Sequence, residues 1–168
     1  FCTLPPNTQR EDLHRGDVLT PHLFLFSTPL HHNFTVSLVN QITQFKTYAA
    51  PVLQQCLHPS KSLIAIWIGI NDVSDSSKYA VNFPTFYANL TRTLFASVDE
   101  LYALGYRDYL FMNLPPLDRT PGNQKTATPH PNATQVAWYN EALAAQAAQF
   151  GREKGDVEVR VFDAHGRL

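Results

Sequence analysis

Residues 63–72 read Leu-Ile-Ala-Ile-Trp-Ile-Gly-Ile-Asn-Asp and join an apolar run to a polar turn. The run from Leu63 to Ile68 is continuous, β-branched and aromatic, which is typical of a strand buried on both faces of a parallel sheet. Gly69 lets the chain leave the strand sharply. The stretch therefore predicts a buried parallel strand, followed by a turn at the sheet edge that ends at Asp72.

Helices are predicted on both sides of this strand. Apolar residues recur at helical spacing over residues 38–49, and Pro51 is expected to close that helix. A longer apolar stripe with three- and four-residue steps runs over residues 83–104. Asn82 is placed to cap its start, and Gly105 stands where a left-handed closing residue is needed.

Two further strands complete the predicted architecture. Residues 109–114 form a second apolar run, and Val157 begins a third strand of alternating valines. Between them an Ala-rich helix with apolar positions over residues 136–150 is expected to end near Gly151 or Gly155. Strands alternating with helices imply right-handed crossovers and a parallel sheet. We expect one α/β domain over residues 1–168, with an irregular segment at residues 1–34.

The composition excludes several classes of protein. The chain has 168 residues, 44% hydrophobic and 16% charged, which is typical of a globular protein rather than a disordered one. The formal net charge is −1, with scattered Lys and Arg residues, so neither nucleic acid nor an anionic membrane surface is an expected partner. The longest apolar run, residues 63–70, is too short to span a bilayer.

Other features bear on processing and location. The first residue is Phe1 rather than Met, and the chain stops soon after the third predicted strand, so we expect it to be processed, trimmed or incomplete. Cys2 and Cys56 are free to pair, but two cysteines do not define a disulfide framework. An extracellular location is expected from the Asn-x-Thr sequons. They begin at Asn33, Asn89 and Asn132.

Candidate chemistry lies in the loops beyond the carboxyl ends of the strands, where open parallel sheets place reactive groups. These loops are residues 69–76, 113–130 and 163–168. The side-chain amide of Asn71 is a neutral donor that suits an oxyanion developing on a carbonyl oxygen, and Asp72 is placed to hold the turn. The alternative is that residues 69–72 are only a turn.

The residues around this turn resemble those of a known superfamily. Residues 67–73, Trp-Ile-Gly-Ile-Asn-Asp-Val, are similar to block III of the SGNH/GDSL hydrolases, which supplies the Asn of the oxyanion hole. Residues 113–121, Asn-Leu-Pro-Pro-Leu-Asp-Arg-Thr-Pro, resemble the following strand and loop in its secreted carbohydrate-acetylesterase branch. Residues 138–140 and 162–165 follow in the expected order. The resemblance covers roughly residues 35–165.

The resemblance implies a fold and a reaction. The fold is a flavodoxin-like three-layer sandwich with a parallel sheet. The activity is hydrolysis of acyl or acetyl esters by Ser attack, with His as base, Asp orienting it, and no cofactor. Asn71, Gly69 and Asp72 correspond to the oxyanion-hole block, and the expected substrate is a small-molecule or carbohydrate ester.

The chain departs from this family at the nucleophile. No Gly-Asp-Ser-Leu motif is present; residues 16–19 read Gly-Asp-Val-Leu, and Val18 cannot attack a carbonyl. None of the serines has the family's neighbours, and the Gly of block II has no counterpart that we can place. The family's Asp-x-x-His is matched only by Asp163 and His165, one residue closer together. These two are candidate catalytic residues; the alternative is a capping pair at a strand end.

Two functional hypotheses follow. The first is an ester hydrolase whose active site is incomplete in this chain, which would be weakly active or inactive. The second is a non-catalytic relative that binds a carbohydrate or acyl ligand. A nucleotide-binding domain is disfavoured, because no Gly-rich phosphate loop follows a strand. The remaining histidines have no partners at metal-ligand spacing, so no metal site is expected. With strand 63–68 uncovered, the chain should be poorly soluble or dimeric.

Overall fold

The computed structural model describes residues 36–167. Within them the helices and strands follow the predicted alternation, with one additional short helix after the first strand. The elements are α1 (Leu38–Gln44), α2 (Ala50–Leu53), β1 (Leu63–Ile66), α3 (Ile70–Ser76), α4 (Phe83–Ala103), β2 (Asp108–Met112), α5 (Ala133–Lys154) and β3 (Glu158–Phe162).

The three strands form a parallel sheet in the order β1-β2-β3. Helices α4 and α5 make the two crossovers and pack against each other on one face of the sheet. On that face the ring of Phe111 lies 4.7 Å from Phe95 of α4, and Tyr109 lies 5.3 Å from Phe150 of α5. The α/β class and the parallel sheet are therefore confirmed, and the described residues supply the sheet and one helical layer.

The capping residues act as predicted. The side chain of Asn82 accepts a hydrogen bond from Thr85 N at the start of α4. Gly105 closes that helix with φ +96°, and Gly155 closes α5 with φ +71°. Both glycines take the left-handed conformation that other residues rarely adopt.

Pro51 does not close the first helix, so this prediction is wrong. A π-helical segment, Phe45–Ala49, joins α1 to α2, and α2 continues past the proline to Leu53. Because proline has no N–H and its ring crowds the carbonyl four residues earlier, it kinks or breaks a regular α-helix when it lies in the interior. The wider π turn changes the hydrogen-bond partner from the fourth to the fifth residue, as when Ala50 N–H donates to Phe45 O.

The prediction that the first strand is buried on both faces is also wrong. Among the described residues β1 pairs only with β2, and the strand ends at Ile66. Ile66 is buried against the helical layer, whereas Leu63 and Trp67 are 50% and 48% exposed on the opposite side. A continuous apolar run cannot by itself tell burial on one face from burial on two.

Candidate active site

Asn71 lies at the carboxyl-terminal rim of the sheet. The chain leaves β1 through Gly69, whose φ of +112° turns it directly into α3. Asn71 and Asp72 stand in the first turn of that helix, with Asn71 exposed and Asp72 half-buried. Most of the loop predicted at residues 69–76 is therefore helical, and its first turn carries the candidate oxyanion donor.

Tyr139 of α5 holds the backbone just before this helix. Its buried hydroxyl donates a hydrogen bond to Ile68 O at 2.9 Å. A Cβ atom on Gly69 would overlap the tyrosine hydroxyl and ring, so only glycine fits beside this side chain. Burial, together with the negative charge of Asp72, raises the pKa of Tyr139 far above its ordinary value. The hydroxyl thus stays a neutral donor.

The far end of α3 is fixed from two helices. The Ser76 hydroxyl lies 3.1 Å from the Tyr87 hydroxyl of α4, and both groups are buried. Gln135 of α5 donates from Nε2 to Ser77 O at 3.3 Å. Burial raises the pKa of Tyr87, with the Ser76 hydrogen bond opposing that shift. The helix that carries Asn71 is therefore anchored at both of its ends.

Asn113 organises the neighbouring part of the rim, after β2. Its Nδ2 donates to Asp163 Oδ1 at 2.8 Å, and its Oδ1 accepts from His165 N at 3.0 Å. Trp67 donates from Nε1 to Asn113 O at 3.1 Å, which connects the end of β1 to the same residue. The sequence places Asn113 only at the start of the loop at residues 113–130. The hydrogen bonds from Asn113 to the end of β3, called the Asn113 bridge below, follow from the parallel register. Met112 pairs with Phe162, so Asn113 and Asp163, the next residue of each strand, lie side by side.

A second asparagine that sequence reasoning missed fixes the start of the following loop. The side chain of Asn140 accepts from Leu114 N at 2.8 Å and donates to Leu114 O at 3.1 Å. It therefore satisfies both backbone polar groups of a residue that has just left the sheet. Its position eight residues into α5 gives no local indication of this role.

The carboxylate of Asp163 is held within this network. Its Oδ1 also accepts from Gly166 N at 3.1 Å. The Asn113 hydrogen bond, followed by the Gly166 N–H and the nearby His165, lowers the pKa of Asp163 below its ordinary value. Among the described residues the imidazole Nδ1 of His165 is buried without a hydrogen-bond partner. Asp163 therefore accepts hydrogen bonds from a side-chain amide and a backbone N–H rather than from that imidazole nitrogen.

A cleft of about 310 Å³ opens beside this network. The residues that line it are Asn113, Ala137, Asn140, Glu141, Asp163, His165 and Gly166. Asp163 and His165 therefore share a cleft, whereas Asn71, Gly69 and Asp72 are not part of its lining. The described structure places the predicted residues in two groups along one rim, connected through Trp67 and Asn113.

The remaining sequence features concern the N-terminal segment, the cysteines, metal ligands and membrane-spanning helices. The Gly-Asp-Val-Leu tetrapeptide at residues 16–19, Cys2 and the sequon at Asn33 lie outside the described residues. Cys56 carries no free thiol. Within residues 36–167 no group of three or more His, Cys, Asp or Glu side chains is arranged to hold a metal ion. No helix there is both long and apolar enough to cross a membrane.

Two comparisons with known proteins show what this chain is similar to. The sequence model of a family described as GDSL-like lipase/acylhydrolase matches residues 16–168. A curated relative, a protein named acetylesterase from Thermothelomyces thermophilus, is 27% identical over 139 residues. The aligned region is 80% of this chain and 46% of that protein, so the chain spans about half the length of the curated relative it matches.

Proposed function

The chain belongs to the GDSL-like lipase/acylhydrolase family, within the SGNH/GDSL superfamily its motifs resemble, and on that premise we propose that it hydrolyses acetyl or other small acyl esters. The family supports an ester substrate in general, and the name of the relative favours an acetyl group. The observation that carries the proposal is the exposed Asn71 amide at the sheet rim, on a helix anchored at both ends.

The Asn71 amide would stabilise the charge that forms during ester cleavage. When a nucleophile attacks the ester carbonyl, the carbonyl oxygen becomes an oxyanion, and a fixed N–H donor lowers the energy of that state more than that of the substrate. An amide supplies this hydrogen bond without introducing a cation that could pair with the nucleophile. The Tyr139 and Gly69 contacts would keep the donor in place, so little reorganisation is needed during reaction.

For Asp163 we propose a structural role rather than a role in proton transfer. Because the Asp163 carboxylate is engaged by Asn113 and Gly166 N, we propose that it organises the rim. The chain shows no Gly-Asp-Ser-Leu nucleophile motif, so we expect its activity to be weak.

We also propose that the protein acts outside the cell. Three Asn-x-Thr sequons and the absence of a free thiol on Cys56 both fit passage through an oxidising secretory compartment. In that setting the proposed natural substrate is an acetylated carbohydrate.

Hydrolysis of p-nitrophenyl acetate tests the role of Asn71. The parent chain is expected to hydrolyse this ester slowly but faster than buffer, and Asn71→Ala should lower that rate by about 10²-fold, to background. Asn89→Ala is the matched control, because Asn89 is also an exposed helical asparagine but lies on α4. Equal rates in the parent and Asn71→Ala would refute the assignment. Turnover of about 10 s⁻¹, the median for enzymes, would instead refute the expectation that the active site is incomplete.

Acetate binding gives a second readout that does not depend on turnover. Acetate is the product of the reaction, and its carboxylate oxygen can occupy the position of the oxyanion. Titration with acetate should shift the side-chain amide resonance of Asn71 in a ¹⁵N-labelled sample and leave that of Asn89 unchanged. An unperturbed Asn71 resonance at saturating acetate would count against an oxyanion site at this position.

A further inference from the structure

Two of the Asn-x-Thr sequons lie within the described residues and occupy different structural settings. Asn132 precedes α5 and has extended backbone angles, φ −89° and ψ 169°. Asn89 lies inside α4, six residues after its first residue. Since N-glycan acceptors are characteristically surface loops, the two sequons are not equivalent.

We propose that Asn132 is an N-glycosylation site and that Asn89 is left unmodified or modified in few copies. This inference concerns a modification and does not depend on the ester-hydrolase proposal. It requires only that the chain enters a eukaryotic secretory pathway.

The Asn132 side chain can carry a glycan without losing its structural role. Its Oδ1 caps α5 by accepting from Gln135 N at 2.9 Å, and the Gln135 side chain accepts from Asn132 N at 2.9 Å. Both hydrogen bonds leave the Nδ2 atom, to which the sugar is attached, outside the capping box. Asn132 and Thr134 are both exposed. The glycan would therefore extend into solvent while the helix keeps its cap.

The sequon at Asn89 is constrained by its helix. Thr91 is completely buried, and its hydroxyl donates to Tyr87 O at 2.9 Å within α4. Asn89 itself is exposed, but its Oδ1 accepts from Arg92 at 2.9 Å. Presenting this sequon in an extended form would require α4 to open and Thr91 to leave the core. Asn132 and Thr134 need no such opening.

The modification itself is a group transfer with a defined balance. A C–N bond forms between Asn132 Nδ2 and the anomeric carbon of an oligosaccharide held on a lipid diphosphate. The bond from that carbon to the diphosphate oxygen breaks, and the lipid diphosphate leaves with the electron pair. Nδ2 gives up one proton to the transferase or solvent. No oxidant or reductant is consumed.

Site occupancy in a secreting eukaryotic host tests the proposal. The full chain is expressed behind a cleavable secretory leader, and both the secreted and the cell-retained protein are treated with peptide N-glycosidase F in ¹⁸O-water. Mass spectrometry then reads each formerly glycosylated asparagine as ¹⁸O-labelled aspartate. We expect occupancy at Asn132 to be several-fold higher than at Asn89. Occupancy at Asn89 equal to or above that at Asn132, or a bare Asn132 in both fractions, would overturn the proposal.

Two variants separate the sites by gel mobility. Thr134→Ala destroys the sequon while leaving the Asn132 cap intact, and it should remove the mobility shift of one glycan. Asn89→Gln should leave the mobility of the parent unchanged. An unchanged Thr134→Ala protein together with a faster-migrating Asn89→Gln protein would assign the glycan to α4 instead and would contradict the inference. Asn33 is scored separately in the same spectra.

Discussion

At the scale of single residues, the most specific feature of the rim is the fit between Gly69 and Tyr139. Two independent reasons require glycine at position 69. Its backbone is left-handed, and Tyr139 fills the space that a Cβ atom would occupy. The tyrosine in turn satisfies the carbonyl of Ile68. The conformation in front of Asn71 therefore rests on a contact between the segment that follows β1 and the first half of α5.

Gly69→Ala should strongly destabilise the fold. The left-handed conformation costs a residue with a Cβ about 1–2 kcal/mol, and overlap with the Tyr139 ring should add about 1–3 kcal/mol. The free energy of unfolding in urea measures the sum. Gly122→Ala is the control, because Gly122 has φ −68° and open space around its Cβ position. A loss at position 69 no larger than at position 122 would contradict the described fit.

Tyr139→Phe isolates the hydroxyl from the ring. It leaves the carbonyl of the half-buried Ile68 without its partner, at a cost of about 1–3 kcal/mol. Hydrogen exchange at the α3 amides should accelerate along with the loss in the free energy of unfolding. Tyr102→Phe serves for comparison, since its hydroxyl donates to the exposed carboxylate of Asp156 and its loss should cost less. Unchanged exchange in α3 would show that Tyr139 does not hold this turn.

Asn113→Ala should raise the pKa of Asp163 towards its ordinary value, because it removes the hydrogen bond that contributes most to the lowered pKa. A carboxylate whose pKa is lower in the folded state stabilises the fold above its unfolded pKa, and this contribution is lost as pH falls through the folded value. The variant should therefore lose stability at neutral pH and show a weaker acid dependence. A side-chain ¹³C titration of Asp163 measures the shift. In Asn140→Ala, which alters the same cleft but not this hydrogen bond, the pKa of Asp163 should remain low.

At the scale of elements, capping residues predicted helix ends correctly, whereas a proline did not. Asn82 and Gly105 marked ends correctly because caps are local chemistry, decided within a few residues. Of the two glycines offered for the end of α5, Gly155 closes the helix and Gly151 lies inside it. Pro51 gave a wrong helix end because a π-helical turn accommodates the proline within the helical segment. That turn depends on the packing of the whole segment. The Asn113 bridge was missed for a similar reason: its partners lie fifty residues away or more, and only the strand register brings them together.

The capping box of α5 gives a prediction at this scale. Asn132→Ala should cost about 1 kcal/mol in the free energy of unfolding, because the Gln135 backbone N–H loses its acceptor. Asn132→Asp should be close to neutral, since aspartate caps equally well and its charge favours a helix N-terminus. Thermal and urea unfolding of unglycosylated protein from bacteria measure both. A loss of similar size in the two variants would mean that the cap is not what stabilises this end.

At the scale of the whole molecule, the sheet face opposite α4 and α5 determines the expected tendency to self-associate. Leu63, Trp67 and Phe162 are each about half exposed, and among the described residues β1 pairs on one side only. Exposed apolar strand edges associate readily with other chains. The parallel α/β architecture itself could be predicted from alternating apolar runs, but how far each face is covered could not.

The chain is therefore expected to self-associate at micromolar concentration. Leu63→Lys, which places a charge on the edge strand, should shift light-scattering mass after size exclusion towards the monomer. Leu57→Lys is the matched control, because Leu57 is 51% exposed but precedes the sheet. A monomeric parent with a single sharp calorimetric transition would rule out association through this strand.

The Gly69–Tyr139 fit also limits how related sequences can diverge. Two positions that are distant along the chain share one small volume, so neither can change its size without the other. A homologue with a larger residue at the first position would need a smaller one at the second, and would then need another donor for the Ile68 carbonyl. Substitutions at these two sites should accordingly be inherited together.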